Sequence, residues 1–240
     1  MRTGLRTIDA PPPLVSCIMP TADRRRFVPQ AIRRFLGQDY PSRELVVVDD
    51  GADPVADLIP ADARIRYFRS EPGLSLGAKR NLACRLARGA LIAHWDDDDW
   101  AARWRVSFQA EALTRAGADV CGIDRVLFLG PTADRAWAYV YPADEPAWVH
   151  GASLCYRREL WQRNPFPDVD IAEDCDFLWS ACLKTILRLP DNRFYVGLIH
   201  AANASPKPAD NARWRAFPPA AIRQVVGGDW PELRALLAAD

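Results

Sequence analysis

Two short apolar runs in this chain end in carboxylates. ELVVVDDG (44–51) stops at Asp49 and Asp50, and ALIAHWDDDDW (90–100) stops at four consecutive aspartates held between Trp95 and Trp100. Apolar runs this short, rich in β-branched residues and without polar alternation, predict strands buried on both faces, as in a parallel sheet covered by helices. LVSCIM (14–19) and IRYFRS (65–70) read the same way. Between them lie stretches with helical spacing: FVPQAIRRFLGQ (27–38), with Val28, Ile32, Phe35 and Leu36, and LGAKRNLACRLARG (76–89), with Leu82 and Leu86 in a row continued by Ala90. Trp104, Phe108 and Leu113 predict a helix after the acidic run. Strands alternating with helices predict an α/β fold, a Rossmann-like, mostly parallel sheet flanked by helices. Ligands of such sheets bind beyond the carboxyl ends of the strands, so both acidic clusters are expected on one rim.

An acidic run at a strand end is commonly a solvated loop. Here the two tryptophans favour partial desolvation, and four adjacent carboxylates repel one another. A divalent cation resolves both conflicts. Hard oxygen ligands suit Mg²⁺ or Mn²⁺, and Mg²⁺ takes one or two protein carboxylates together with phosphate oxygens. The run therefore predicts a metal–diphosphate site rather than a cage built from protein alone.

The rest of the sequence narrows the class. The chain has 240 residues, with 31 basic and 31 acidic side chains and a formal net charge of zero, so it carries no overall field toward nucleic acid or an anionic membrane. No apolar run reaches the roughly 20 residues of a membrane span, and MRTGLRTIDAPPP lacks the apolar centre of a secretory signal. The six cysteines contain no CxxC pair and sit among apolar neighbours, so they are expected as buried free thiols. A cytoplasmic protein is expected, with a peripheral position on a membrane face as the alternative.

Beyond about residue 118 the pattern changes. DVCGIDRVLFLG (119–130), RAWAYVYP (135–142) and GASLCYRREL (151–160) read as longer, mixed strands. IAEDCDFLWSACLK (171–184) has helical spacing, RFYVGLIHAANAS (193–205) reads as a strand ending at His200, and the tail suggests two short helices. One continuous domain over 1–240 is expected, with a nucleotide-type half (14–100), an irregular half (101–205) and a helical tail (206–240).

The order VSCIMPT (15–21), QDYPSRELVVVDDG (38–51), GAKRN (77–81), LIAHWDDDDW (91–100), then Glu173-Asp174 and a late His200, resembles a family 2 glycosyltransferase with the GT-A fold. The resemblance implies an inverting, metal-dependent enzyme that moves a sugar from a nucleotide-sugar, UDP-linked in the leading reading, to an acceptor hydroxyl. It makes 14–100 the nucleotide-sugar-binding half and 101–205 the acceptor-binding and catalytic half. It assigns Asp50 to the nucleotide base, Pro20 and Thr21 to the base pocket, and Arg80 to the nucleotide from the start of its helix. Asp96 and Asp98 match the two acids of the DXD motif, Asp96 toward the ribose and Asp98 toward the metal. Asp97 becomes a helper beside the donor and Asp99 a support for the metal through water. His200 matches the family's late metal-binding histidine. Asp174 becomes the general base, with Glu173 as an orienting group or as the base itself. Gly151 and Trp148 fall beside the acceptor; His150 is expected near the acceptor loop and His94 in the strand core.

The chain also departs from the family. Ala22-Asp23 stands where Tyr-Asn is common, Ala52 replaces a serine after VVDDG, and NARWR (211–215) lacks the glutamine of QxxRW, which argues against a processive polymerase. The acceptor stays open among a glycan, a lipid-linked sugar, a small molecule and a peptide. The rival reading is a nucleotide-binding relative without catalysis and with a regulatory role. A nucleotidyltransferase fits less well, because PTADRRRF has no glycine-rich phosphate loop. Trp137, Tyr139, Tyr141 and Trp148 are expected mainly as core aromatics, with a sugar-stacking wall as the alternative.

Overall fold

The computed structural model describes residues 11–180, 185–203, 207 and 211–238. In chain order, β1 (Val15–Thr21), α1 (Val28–Leu36), β2 (Arg43–Asp49), β3 (Ile65–Arg69), α2 (Leu76–Leu86) and β4 (Leu91–His94) build the first half. There follow β5 (Trp100–Ala101), α3 (Arg105–Ala116), β6 (Val120–Gly122), β7 (Arg125–Leu129), β8 (Ala136–Val140), β9 (Cys155–Arg157), α4 (Arg158–Arg163) and α5 (Glu173–Trp179). The chain closes with β10 (Ile186–Arg188), β11 (Tyr195–Leu198), β12 (Trp214–Phe217), α6 (Pro219–Val226) and α7 (Trp230–Ala238).

Seven strands form one sheet in the order β10-β6-β9-β4-β1-β2-β3, and five form a second in the order β12-β8-β7-β11-β5. In the larger sheet β1 runs parallel to β2 and β4, with Thr21 opposite Asp49 and Ile18 opposite His94. β9 is antiparallel to both β4 and β6. The expected α/β layout is therefore observed. All seven residues of β2 are buried, and each fully buried Val or Leu there stabilises the fold by about 1.5–3 kcal/mol relative to exposure. The register carries Asp49, Asp50 and the acidic run to the same end of the sheet, because three adjacent parallel strands finish there.

The second half departs from the sequence reading in three places. Residues 119–130 are two strands in different sheets: the chain turns at Ile123, whose N–H donates to Ser153 Oγ at 3.1 Å. Residues 151–160 divide into a single 3₁₀ turn, β9 and the start of α4. The tail is not wholly helical, since β12 pairs antiparallel with β8 and sets Trp214 opposite Tyr139. In each case tertiary pairing overrides a local pattern that suits several structures.

Helix α2 is where face assignment matters most. The row Leu82–Leu86 is only half-buried and Ala90 is exposed; the buried face is Gly77, Arg80, Ala83 and Cys84. Small residues let this face lie close to its neighbours. Gly77 is obligatory, because a Cβ there would sit 1.8 Å from the Pro167 carbonyl oxygen. Ser75 caps the helix by accepting from Ala78 N–H at 3.1 Å. Arg80 shares the inward face with these small residues.

Among the described cysteines, Cys17, Cys84, Cys121 and Cys155 are buried free thiols and Cys175 is a half-buried one; Cys182 lies outside the described residues. No helix among the described residues is long and apolar enough to cross a membrane.

Candidate active site

One cavity of about 520 Å³ opens at the carboxyl end of the larger sheet. Pro20, Thr21, Arg24 and Lys79 line one end of it, the four aspartates its middle, and His150, Gly151, Glu173, Asp174, Trp148 and Trp214 the other.

The acidic run is held by a separate partner for nearly every carboxylate. Thr21 Oγ1 donates to Asp97 Oδ2 at 2.6 Å. Asp98 Oδ2 lies 3.1 Å from His200 Nε2 and 3.3 Å from Arg24 Nη1. Asp99 takes the Tyr195 hydroxyl and, at 2.8 Å, the Leu198 N–H. Asp96 has the most distant partner, Arg80 Nη2 at 3.9 Å. Arg105 braces the base of the loop from α3: its Nη2 donates to the carbonyls of His94 at 2.6 Å and Ala152 at 2.7 Å.

The electrostatics show crowding. Burial, reinforced by the Asp98 charge, pushes the Asp97 carboxyl up to about 8. Burial with Asp98 and Asp96 raises Asp99 well above the usual carboxylate range. Burial also acts to raise Asp98, but the His200 hydrogen bond and the Arg24 charge outweigh it and hold this carboxyl low. Among the described residues, one oxygen each of Asp96, Asp98 and Asp99 comes within 4.8 Å of the others, an oxygen set that fits a divalent cation. Asp99, expected as an indirect support, stands in this group directly. His200 reaches it only through Asp98; its ring stacks on Phe27 at 4.4 Å.

Beside Thr21, Asp50 is buried and accepts from Lys79 Nζ at 2.8 Å and from Leu74 N–H at 3.1 Å. Lys79, rather than Arg80, is the α2 side chain that reaches Asp50. Arg80, expected at the nucleotide, lines the cavity beside Asp96 and is also held from within: Nε donates to Glu173 Oε1 at 2.9 Å and Nη1 lies 2.6 Å from His94 Nδ1. The signal was present in the sequence, because Arg80 falls three residues after Gly77 and three before Ala83, on the small-residue face.

At the opposite end, burial raises the Glu173 carboxyl, against the pull of Arg80. Asp174, half-buried at the start of α5, faces Gly151 so closely that a Cβ on Gly151 would lie 2.2 Å from its Oδ2. Trp148 is buried and stacks on Tyr141 at 4.8 Å while still lining the cavity. Tyr139 and Trp214 join it; Trp137 packs against Gly130 instead. Lys79, Arg24, Tyr195 and Trp214 were not singled out as site residues from the sequence. Only Tyr195 had a signal, as the one hydroxyl of RFYVGLIH, the strand that ends near His200.

His94 and His150 are both kept neutral. Burial, then the Arg80 charge, lowers His94 well below its ordinary value; burial, then Lys207, lowers His150 to about 3. His150 sits among the rings of Phe128, Trp148 and Tyr195. In the unfolded chain both bind a proton below about pH 6.5, so there the unfolded state holds more protons and stability falls with acidification. Between pH 7 and pH 5 His150 by itself contributes a loss of about 2 kcal/mol of unfolding free energy, while the raised carboxyls of Asp97 and Asp99 act in the opposite direction, so the histidine shows as a difference between variants in urea denaturation. His150→Phe, which fits an aromatic box without titrating, should gain about 2 kcal/mol relative to the native protein between pH 7 and pH 5; an unchanged difference would show that His150 is protonated in the folded protein.

The sequence profile of glycosyl transferase family 2 matches residues 16–178. The chain belongs to this family. It is 29% identical over 193 residues to the uncharacterized glycosyltransferase EpsJ of Bacillus subtilis (strain 168), covering 70% of this chain and 56% of EpsJ. It spans 33%, 41% and 56% of the length of three curated relatives it matches. In fold it resembles S. aureus TarS 1-349 in complex with UDP-GlcNAc, at TM-score 0.64 and 20% identity, covering 93% of this chain and 66% of that one. It also resembles the mannosyltransferase PcManGT of Pyrobaculum calidifontis in complex with GDP-Man and Mn²⁺, at TM-score 0.60 and 18% identity, covering 95% and 73%. The family 2 resemblance and the GT-A architecture expected from the motifs are thus both found.

Proposed function

We propose that the chain transfers a sugar from a UDP-sugar to an acceptor hydroxyl, with inversion and with a divalent cation, as one GT-A unit whose donor half is 14–100 and acceptor half 101–205. The observation that carries this reading is the shared cavity. A cation-competent carboxylate set and a separate carboxylate, Asp174, line the same space, with room for a sugar diphosphate between.

Asp50, with Pro20 and Thr21, holds the nucleoside, and Lys79 keeps Asp50 oriented. Asp96 and Asp97 bind along the donor, and Asp98 and Asp99, with one oxygen of Asp96, would hold the cation, with His200 as a further ligand if its contact to Asp98 opened. A bound Mn²⁺ or Mg²⁺ would stabilise negative charge on the departing diphosphate. Asp174 accepts the proton of the acceptor hydroxyl, whose oxygen attacks the anomeric carbon on the face opposite the diphosphate. That opposite-side attack is what inverts the configuration. Glu173, tied to Arg80, fixes the helix start from which Asp174 projects. Gly151 leaves room for Asp174, and Trp148 with its aromatic neighbours offers the acceptor an apolar wall.

The test is thermal stability against UDP-, GDP-, dTDP- and CDP-linked sugars, each with and without Mn²⁺. A ligand that binds the native state raises the midpoint by mass action. A Mn²⁺-dependent shift confined to UDP compounds is expected. A shift with GDP compounds alone would move the base assignment, and no shift with any donor would sink the reading.

A further inference from the structure

The acidic loop is pinned at both ends by its two tryptophans. Trp95 Nε1 donates to the Ala31 carbonyl of α1 at 3.1 Å. Trp100, only 3% exposed, directs its indole N–H to Asp229 Oδ2 at 2.8 Å. Asp229 belongs to the turn between α6 and α7, 129 residues away in sequence. The same oxygen accepts Arg34 Nη1 at 2.6 Å, and Arg34, buried on α1, also reaches Glu232 Oε2 at 3.0 Å. The Arg34 guanidinium lies 5.9 Å from the Trp100 ring centroid.

A largely buried indole N–H that loses its acceptor is costly, so the bond to Asp229 stabilises Trp100 in this position. Trp100 is joined by one peptide bond to Asp99. Pairing of Trp100 with Val196 and of the Asp99 carboxylate with Tyr195 and Leu198 fixes the same segment against β11. The four aspartates repel one another, so a loop free at one end would relax by spreading them apart.

We propose that Asp229 and Trp100 form a positioning clasp: the C-terminal turn holds the downstream end of the acidic loop so that Asp96, Asp98 and Asp99 stay close enough to share one cation. Neither residue touches the cation or the substrate. The proposal rests on the cation site of the reading above.

The test measures Mn²⁺ affinity alone, from the electron paramagnetic resonance signal of free Mn²⁺, beside the thermal midpoint of each variant. Trp100→Phe keeps the ring packing and removes the N–H; Asp229→Ala removes the acceptor. Both should bind Mn²⁺ about tenfold more weakly, the lower end of what outer-shell changes cost a metal site. Asp229→Asn retains an oxygen for the indole and should recover most of the affinity. Glu232→Gln weakens the tail's hold on Arg34 but leaves the Trp100 bond, so its affinity should match the native protein whatever its midpoint does. Native affinity in Trp100→Phe and Asp229→Ala, or equal weakening in Glu232→Gln, overturns the clasp. Asp98→Ala separates the two readings: native binding abolished there but intact in Asp229→Ala removes the clasp alone, whereas a native protein that binds no Mn²⁺ removes the cation site and the clasp together.

Discussion

Replacing Asp98 with alanine is expected to lower turnover by about a thousandfold and to remove the Mn²⁺-dependent part of donor binding. Asp98 is the carboxylate held low by His200 and Arg24, so it is the member of the run whose charged form its surroundings favour. Its neighbours Asp97 and Asp99 are raised, and they lose a repulsive partner when it goes. That relief offsets the loss of the pairs with His200 and Arg24, so the variant should still fold. UDP release measured with and without Mn²⁺, beside the thermal midpoint, separates chemistry from stability. A folded Asp98→Ala enzyme with native turnover would remove the cation from the mechanism.

The second large effect is expected at Asp174. Asp174→Asn should cut turnover by about 10²- to 10⁴-fold, the usual contribution of a positioned general base, and leave donor affinity unchanged. The structure separates the two acids of the pair. Glu173 is buried and engaged by Arg80, whereas Asp174 is half-buried and lines the same cavity as the aspartate run. Glu173→Gln should instead lower stability, because it weakens the partner of a buried arginine; complete removal of such a partner costs about 3–5 kcal/mol. Gly151→Ala tests the same geometry from the other side. Its Cβ would meet Asp174 Oδ2 at 2.2 Å and force the carboxylate to rotate. A displacement of that size should cost about a hundredfold in turnover at unchanged donor affinity. Full activity in Asp174→Asn with a folded but inactive Glu173→Gln would transfer the base role to Glu173.

Much of this site is legible without coordinates. Strand-length apolar runs ending in acids place Asp50 and the four aspartates on one rim, because parallel strands of similar length finish together. The motif order carries the family and the residues matched to it. Helix faces were harder. The Leu82–Leu86 row looked like the buried stripe of α2, yet the buried face is Gly77, Arg80, Ala83 and Cys84, where small side chains permit close packing. Apolarity alone misplaces the face by about one residue, and the buried face so defined carries Arg80 to both Glu173 and the cavity beside Asp96.

What the sequence determined by itself is whatever period and local chemistry encode: the α/β alternation, the buried β2 strand, the acidic strand ends and the glycine-bearing start of α2. The tertiary structure alone decided which distant groups meet. Asp99 finds Tyr195, Trp100 finds Asp229, and Gly151 makes space for Asp174. Those meetings depend on sheet order and on the paths of connecting segments. The chain turn at Ile123, the reversed strand β9 and β12 within the tail arise from long-range pairing, and no local periodicity records the partner of a strand or the direction from which it comes.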